Sequence, residues 1–235
     1  MHINRQLNYK KLSSSSKKRG FTLAEVLLVI TIIGIIASYT VPGLLNSVSN
    51  NQYTAALKKN YSVIANAYRN LEADGTTMTA AFPGTNTGAA ALNVLAPKLN
   101  LIKNCGISQG CLYNSLLKYL KGTICEADFD ANWDGTGGKA ILGDGSRILI
   151  QDYRDNCTHN IGTGALSNSV CGWLLIDVNG AKGPNTVGRD VFEFWIAKTG
   201  VYPSGSNGDW TVNDCNSAAN GESCASIVLT QGMNN

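Results

Sequence analysis

The sequence predicts an α+β protein: one long N-terminal helix, membrane-spanning in its first half, packed against a small antiparallel β-sheet head. Three observations carry this. Phe21–Leu45 is a 25-residue, predominantly apolar run. Leu57, Tyr61, Ile64, Tyr68 and Leu71 then recur at helical spacing. Short hydrophobic runs separated by glycine turns fill the second half. The expected divisions are a leader over 1–20, a membrane-spanning helix over 21–45, its amphipathic continuation over 46–73 and an exported globular head over 74–235.

The charge distribution supports the leader. Six of the 19 basic residues (Arg5, Lys10, Lys11, Lys17, Lys18 and Arg19) precede Phe21, and no acidic residue does. Residues 21–235 carry 13 basic against 16 acidic groups, a net of −3. A mildly acidic body gives no general electrostatic reason to bind nucleic acid. A secretory signal peptide also joins a basic region to an apolar run. Its apolar stretch is only about 7–15 residues and ends at a small-residue cleavage site, and neither holds here. A plain signal anchor is the competing reading.

From Phe21 to Leu57 the only charged residue is Glu25. About 20 helical residues cross a hydrocarbon core of about 30 Å, and an ionisable group within one is costly and by default functional. A cut between Gly20 and Phe21 would place a new α-amine four residues from Glu25, the nearest available cation.

Lys17-Lys18-Arg19-Gly20 followed by Phe21-Thr22-Leu23-Ala24-Glu25 and an apolar helix resembles the cleavage and methylation site of type IV prepilins and type II secretion pseudopilins. The motif covers about 25 residues. The resemblance implies cleavage after Gly20 and N-methylation of Phe21 by a dedicated peptidase and methyltransferase. It also implies neutralisation of a neighbouring subunit's N-terminal amine by Glu25. The implied partners are further copies of the chain in a helical filament, an inner-membrane assembly platform and the membrane itself. The implied location is the bacterial inner membrane, then a surface pilus or a periplasmic filament. The 20-residue leader is longer than in the shortest-leader pilins, which leaves the branch open.

Pro42 removes a backbone donor and crowds the preceding turn, so a kink or local melting is expected there. Beyond it the helix becomes amphipathic and stops at Ala73-Asp74-Gly75, with Gly75 as a left-handed cap. Residues 76–100, rich in Thr, Ala, Gly and Asn, read as a surface connector. Leu112–Leu120 reads as a short helix. Lys139–Leu142 and Arg147–Gln151 flank a Gly-Asp-Gly turn as a hairpin, and Cys171–Val178 and Val191–Ala197 are two further strands.

The loop between those last two strands is the second feature of interest. Asp177, Asn179, Asn185 and Asp190 alternate with glycines, and calcium takes six to eight oxygen ligands in such settings. The stretch resembles a segment of pilin-like proteins, and major secretion pseudopilins hold calcium in a head loop. Their ligands do not transfer residue by residue to this sequence. The alternative is a polar connection built on Asx-turns. Asp130-Ala-Asn132-Trp-Asp134-Gly135 matches half an EF-hand loop, but Ile141 occupies the position of its final glutamate. A tight turn fits better there.

Seven cysteines lie beyond residue 100, without a C-x-x-C pair. Their position after a membrane-targeting segment favours disulfides. Short-range pairing gives Cys105–Cys111, Cys157–Cys171 and Cys215–Cys224 and leaves Cys125 over; six cysteines allow 15 connectivities. The last pair would close a C-terminal loop resembling the disulfide-bounded loop of many pilins. Trp133, Trp173, Trp195 and Trp210 read as core or sheet-face residues. Histidine occurs only at His2 and His159, and His159 lies in a polar stretch beside Cys157, a poor setting for catalysis. The sequence therefore reads as a filament subunit and not an enzyme. The alternatives are a pseudopilin with a calcium-stabilised head and a membrane-anchored binding module that never polymerises.

Overall fold

The computed structural model describes residues 20–84, 88–153, 156–206, 208–210 and 213–233. The leader expected over 1–20, with His2 and its six basic residues, lies outside the described residues except for Gly20. The chain divides between Leu45 and Asn46 into two compact units.

Helix α1 runs Leu23–Ala73. Up to Leu45 its large side chains, among them Val26, Leu28, Ile32 and Ile36, are exposed. A segment apolar all round has its solvent elsewhere, and by length and composition α1 can cross a membrane. Three of its hydroxyls bond back to the helix itself. Thr31 Oγ1 donates to the Leu27 carbonyl at 2.6 Å, Ser38 Oγ to Ile35 at 2.7 Å and Thr40 Oγ1 to Ile36 at 3.1 Å. Such back-bonding removes the penalty of a bare hydroxyl in hydrocarbon. The helical assignment continues through Pro42, so the local melting expected there does not occur.

In the second unit, α1 buries Leu57, Ile64, Tyr68 and Leu71, four of the five residues of the sequence stripe. Each contributes about 1.5–3 kcal/mol on burial. The fifth, Tyr61, is half-buried and stacks on Phe194 at 5.5 Å. The helix ends in a Schellman motif. Gly75 sits at φ +81°, its N–H donates to the Glu72 carbonyl at 3.0 Å, and that of Thr76 to Leu71 at 2.9 Å.

The remaining α-helices and strands are α2 Met78–Ala81, α3 Ala89–Leu95, β1 Leu101–Gly106, β2 Leu117–Lys118, β3 Ile124–Glu126, β4 Gly138–Leu142, β5 Arg147–Asp152, β6 Val170–Asp177, β7 Val191–Ala197, β8 Gly200–Pro203 and α4 Cys224–Gln231. Six strands form one sheet in the order β1-β4-β5-β6-β7-β8, and β2 pairs with β3 separately; every pair is antiparallel. The pleat sorts the side chains. Ile148, Ile150, Leu174, Ile176, Phe192 and Phe194 join the α1 stripe in one core. Leu149, Trp173, Leu175 and Val191 join a second cluster with Leu112, Tyr113, Leu117, Phe129 and Val187. The sheet is thus apolar on both faces.

Two sequence expectations are corrected. Residues 76–100 are not a surface connector: they hold α2 and α3 and bury Met78, Phe82, Leu92 and Leu95. Leu112–Leu120 is not a helix. Its backbone is engaged elsewhere: Leu112 N–H donates to Asp130 Oδ1 at 3.2 Å, the Leu112 carbonyl accepts from Arg147, and Lys118 N–H donates to the Asn185 carbonyl at 3.0 Å. Those partners outbid an isolated helical turn, which has a costly nucleus. The 139–151 hairpin is present as β4 and β5, and the two later strands as β6 and β7, each within one residue of expectation.

Candidate functional site

Two regions carry the candidate chemistry, one in each unit. At the start of α1, Gly20 and Phe21 are exposed, with Phe21 86% exposed. Thr22 is the N-cap. Its N–H and Oγ1 both donate to Glu25 Oε2, at 2.8 and 2.9 Å, and Glu25 N–H donates back to Thr22 Oγ1 at 3.2 Å. This is a capping box, with the acidic side chain three residues past the cap. It explains why helix begins directly behind the Gly20–Phe21 junction. Both bonds fall on Oε2, so Oε1 keeps its lone pairs for another donor. The box depends on Thr22, whose three-residue spacing to Glu25 is the S/T-x-x-E capping signature.

Residues 15–40 match the family model of the prokaryotic N-terminal methylation motif. This is the prepilin-type cleavage and methylation signal of type IV pilin-like proteins. Among curated proteins and among solved structures no match is found. The signal and the apolar helix behind it fit a membrane-anchored precursor of a type IV pilin-like or pseudopilin-like protein, and the long helix with its small antiparallel sheet is a pilin-like architecture.

The second region is the connection from β6 to β7. Asp190 organises it, its Oδ2 accepting from Asn185 N–H at 2.8 Å and Asn179 Nδ2 at 3.1 Å, and its Oδ1 from Thr186 N–H at 2.6 Å. Asp177 Oδ1 accepts from Asn179 and Gly180 N–H at 3.1 and 2.9 Å. Both carboxylates are buried. Burial pushes the Asp177 carboxyl well above the usual carboxylate range; the Asp190 charge adds to this, and Arg147 on the neighbouring strand opposes it. Burial also raises Asp190, against the hydrogen bonds it accepts. Three buried oxygens (Asp177 Oδ2, Asn179 Oδ1 and Asn185 Oδ1) have no hydrogen-bond partner among the described residues. The four residues singled out from sequence are therefore together in one loop, two of them as Asx-turn organisers and three offering a spare oxygen. Among the described residues, no group of three or more His, Cys, Asp or Glu side chains could hold a metal ion.

Disulfides join Cys105–Cys111, Cys157–Cys171 and Cys215–Cys224, and Cys125 is a half-buried free thiol. Cys157 is therefore no nucleophile for His159, whose ring stacks on Tyr153 at 4.1 Å. Trp133 and Trp173 meet edge-to-face at 5.0 Å, and Trp195 Nε1 donates to Asp209 Oδ2 at 2.6 Å. Trp210 departs from the expectation of a core or sheet-face residue, being 65% exposed.

Proposed function

We propose that the protein is a structural subunit of a type IV pilus or pilus-like filament. In this reading a prepilin peptidase and methyltransferase cuts between Gly20 and Phe21 and methylates Phe21. An inner-membrane platform then assembles the subunits through their Phe21–Leu45 helices, with Glu25 meeting a neighbour's α-amine and the head outside the cytoplasm. The observation that supports it most is the methylation motif set on a helix that exposes a complete apolar surface, with one carboxylate at its start. That surface must meet lipid or other copies of itself. The role is structural and not enzymatic, in keeping with the motif.

The test is the intact mass and N-terminal sequence of the protein from its native envelope. A chain beginning at N-methylated Phe21 is expected. Retention of residues 1–20, or a cut beyond Leu45, would overturn the reading and favour a membrane-anchored binding module that does not polymerise.

The three unpartnered oxygens of the 177–190 loop favour a second, narrower reading, a pseudopilin whose head is stabilised by calcium. Asp177, Asn179 and Asn185 would hold the ion, backbone carbonyls and water completing its six to eight ligands, and the ion would lower the cost of burying Asp177 beside Asp190. In thermal melts of the full chain in detergent, calcium at 100 times its Kd is expected to stabilise by about 2.7 kcal/mol over chelator. That is a rise of roughly 5–10 °C for a chain of this size. Superimposable melts would remove calcium from the account and leave the filament reading intact.

A further inference from the structure

A groove of about 400 Å³ runs along α4, the last helix of the head. Leu120, Cys215, Ile227, Val228 and Met233 give it apolar walls. Val228 belongs to the core, and Leu120, Cys215 and Met233 pack against that core, so the apolar floor is part of the fold. Exposed Asn216 and Ser217 form an open polar rim. Among the described residues, Arg189 alone brings charge to the lining. Gly188 sets it there. Its φ of +81° and missing side chain let the backbone pass close to Cys224, where a Cβ would stand 2.7 Å from Sγ. Arg189 N–H then donates to the Thr186 carbonyl at 3.0 Å. The residue is half-buried, and its Nε is buried with no hydrogen-bond partner among the described residues. The ion pairs of the described residues use Lys59, Lys98 and Lys139, and none uses Arg189.

A guanidinium drawn partly out of water without an anion is costly. It is also the side chain that fits a carboxylate best, through two parallel N–H bonds. Around it the groove offers only apolar wall and neutral polar groups. Ligand sites are commonly clefts of about 300–1,000 Å³ with apolar walls and a few placed polar groups. A water takes about 30 Å³ of liquid, so this groove accepts about 13 heavy atoms. We propose that it binds a free alkyl carboxylate of medium chain length. The carboxylate sits on Arg189, and the chain lies along Leu120, Ile227, Val228 and Met233. Charge complementarity selects the anion, the apolar wall selects the chain, and the open rim admits a soluble molecule. The site uses no residue of the Phe21–Leu45 helix, so its test is independent of the filament reading.

The test is equilibrium dialysis of radiolabelled octanoate against the full-length protein in phosphatidylcholine nanodiscs, with empty nanodiscs as the blank. Saturable uptake above the blank is expected, competed by unlabelled octanoate and not by acetate or octylammonium. Arg189→Met keeps an unbranched side chain without the charge and is expected to weaken binding about tenfold. Ile227→Trp puts a larger side chain into the groove and is expected to abolish uptake. Near-UV circular dichroism checks that both variants fold as the parent does. Uptake no greater than the blank, octylammonium competing as well as octanoate, or unchanged uptake in Arg189→Met would overturn the site. Blank-level uptake together with a lower assembled mass of Arg189→Met by light scattering would assign the groove to a second copy of the chain instead.

Discussion

Replacing Glu25 with Ala is expected to reduce filament yield at least tenfold while the chain still inserts in the membrane. Insertion does not need the carboxylate, because a charged residue within a spanning helix opposes it by about 2.5–3.5 kcal/mol at the bilayer centre and less near an interface. Assembly is another matter. In the proposed filament, a chain cut after Gly20 carries the Phe21 amine into an apolar environment, where it needs a counter-charge. Glu25 stands one helical turn away, held by Thr22 at 2.8 and 2.9 Å through Oε2 alone. Its Oε1 is free to take an ammonium from the next subunit. Losing about 2 kcal/mol at a subunit joint weakens association roughly 30-fold, and a filament repeats that joint at every step. Glu25→Gln keeps the capping acceptor without the charge and separates the two roles. It should fold as the parent does and assemble as poorly as the alanine variant. Parental filament yield from Glu25→Ala, measured with equal membrane-embedded protein, would sink the assembly role. The same substitution should not affect cleavage at Gly20–Phe21, since the junction precedes the capped turn.

The features legible in the sequence were those dictated by short-range periodicity or by a single special residue. Leu57, Ile64, Tyr68 and Leu71 announced their helix face because consecutive turns repeat the same contact. Gly75 marked the helix end because only glycine adopts its φ of +81° without strain. The 139–151 hairpin was legible because its turn residues sit between two apolar runs. What escaped was decided by distant partners. Strand β1 is largely exposed, with Ile102, Lys103 and Asn104 facing out, so it lacks the alternation of a half-buried strand and exists through its pairing with β4. Helix α3 lies in an alanine-rich stretch whose flanking Gly and Thr residues suggest a loop, and it is held by burying Ala91, Leu92 and Leu95. Leu112–Leu120 had helical spacing but sits over the sheet's second face, where Asp130, Arg147 and Asn185 claim its backbone. The methylation site was legible because a peptidase must read it as linear sequence.

The largest stability effect is expected at Asp130, in the stretch that mimics half an EF-hand. Lys139 lies on β4 facing away from α1, and it is completely buried. Its Nζ stands 3.5 Å from Asp130 Oδ1 and donates to the Asp130 carbonyl at 3.0 Å. Asp130, 1% exposed, also accepts from Gly110 N–H at 2.5 Å and Leu112 N–H at 3.2 Å. One carboxylate thus holds the 110–112 segment over the sheet and neutralises an ammonium with no water around it. Asp130→Ala removes the pair's negative half and strands a buried cation, which costs about 3–5 kcal/mol. A whole domain is stable by only about 5–15 kcal/mol, so the loss is a large part of the total. Lys139→Met should be far milder, because an unbranched apolar chain fills the same space and the Asp130 charge keeps two backbone donors. Adding Lys139→Met to Asp130→Ala should therefore restore about 2 kcal/mol, since the stranded charge is gone and only the two N–H groups go unmatched. Denaturant unfolding of the full chain in micelles, followed by tryptophan emission, measures all three variants against the parent. Equal losses in Asp130→Ala and in the double variant would show that the ammonium is not what Asp130 compensates, and that its two backbone bonds carry the whole effect.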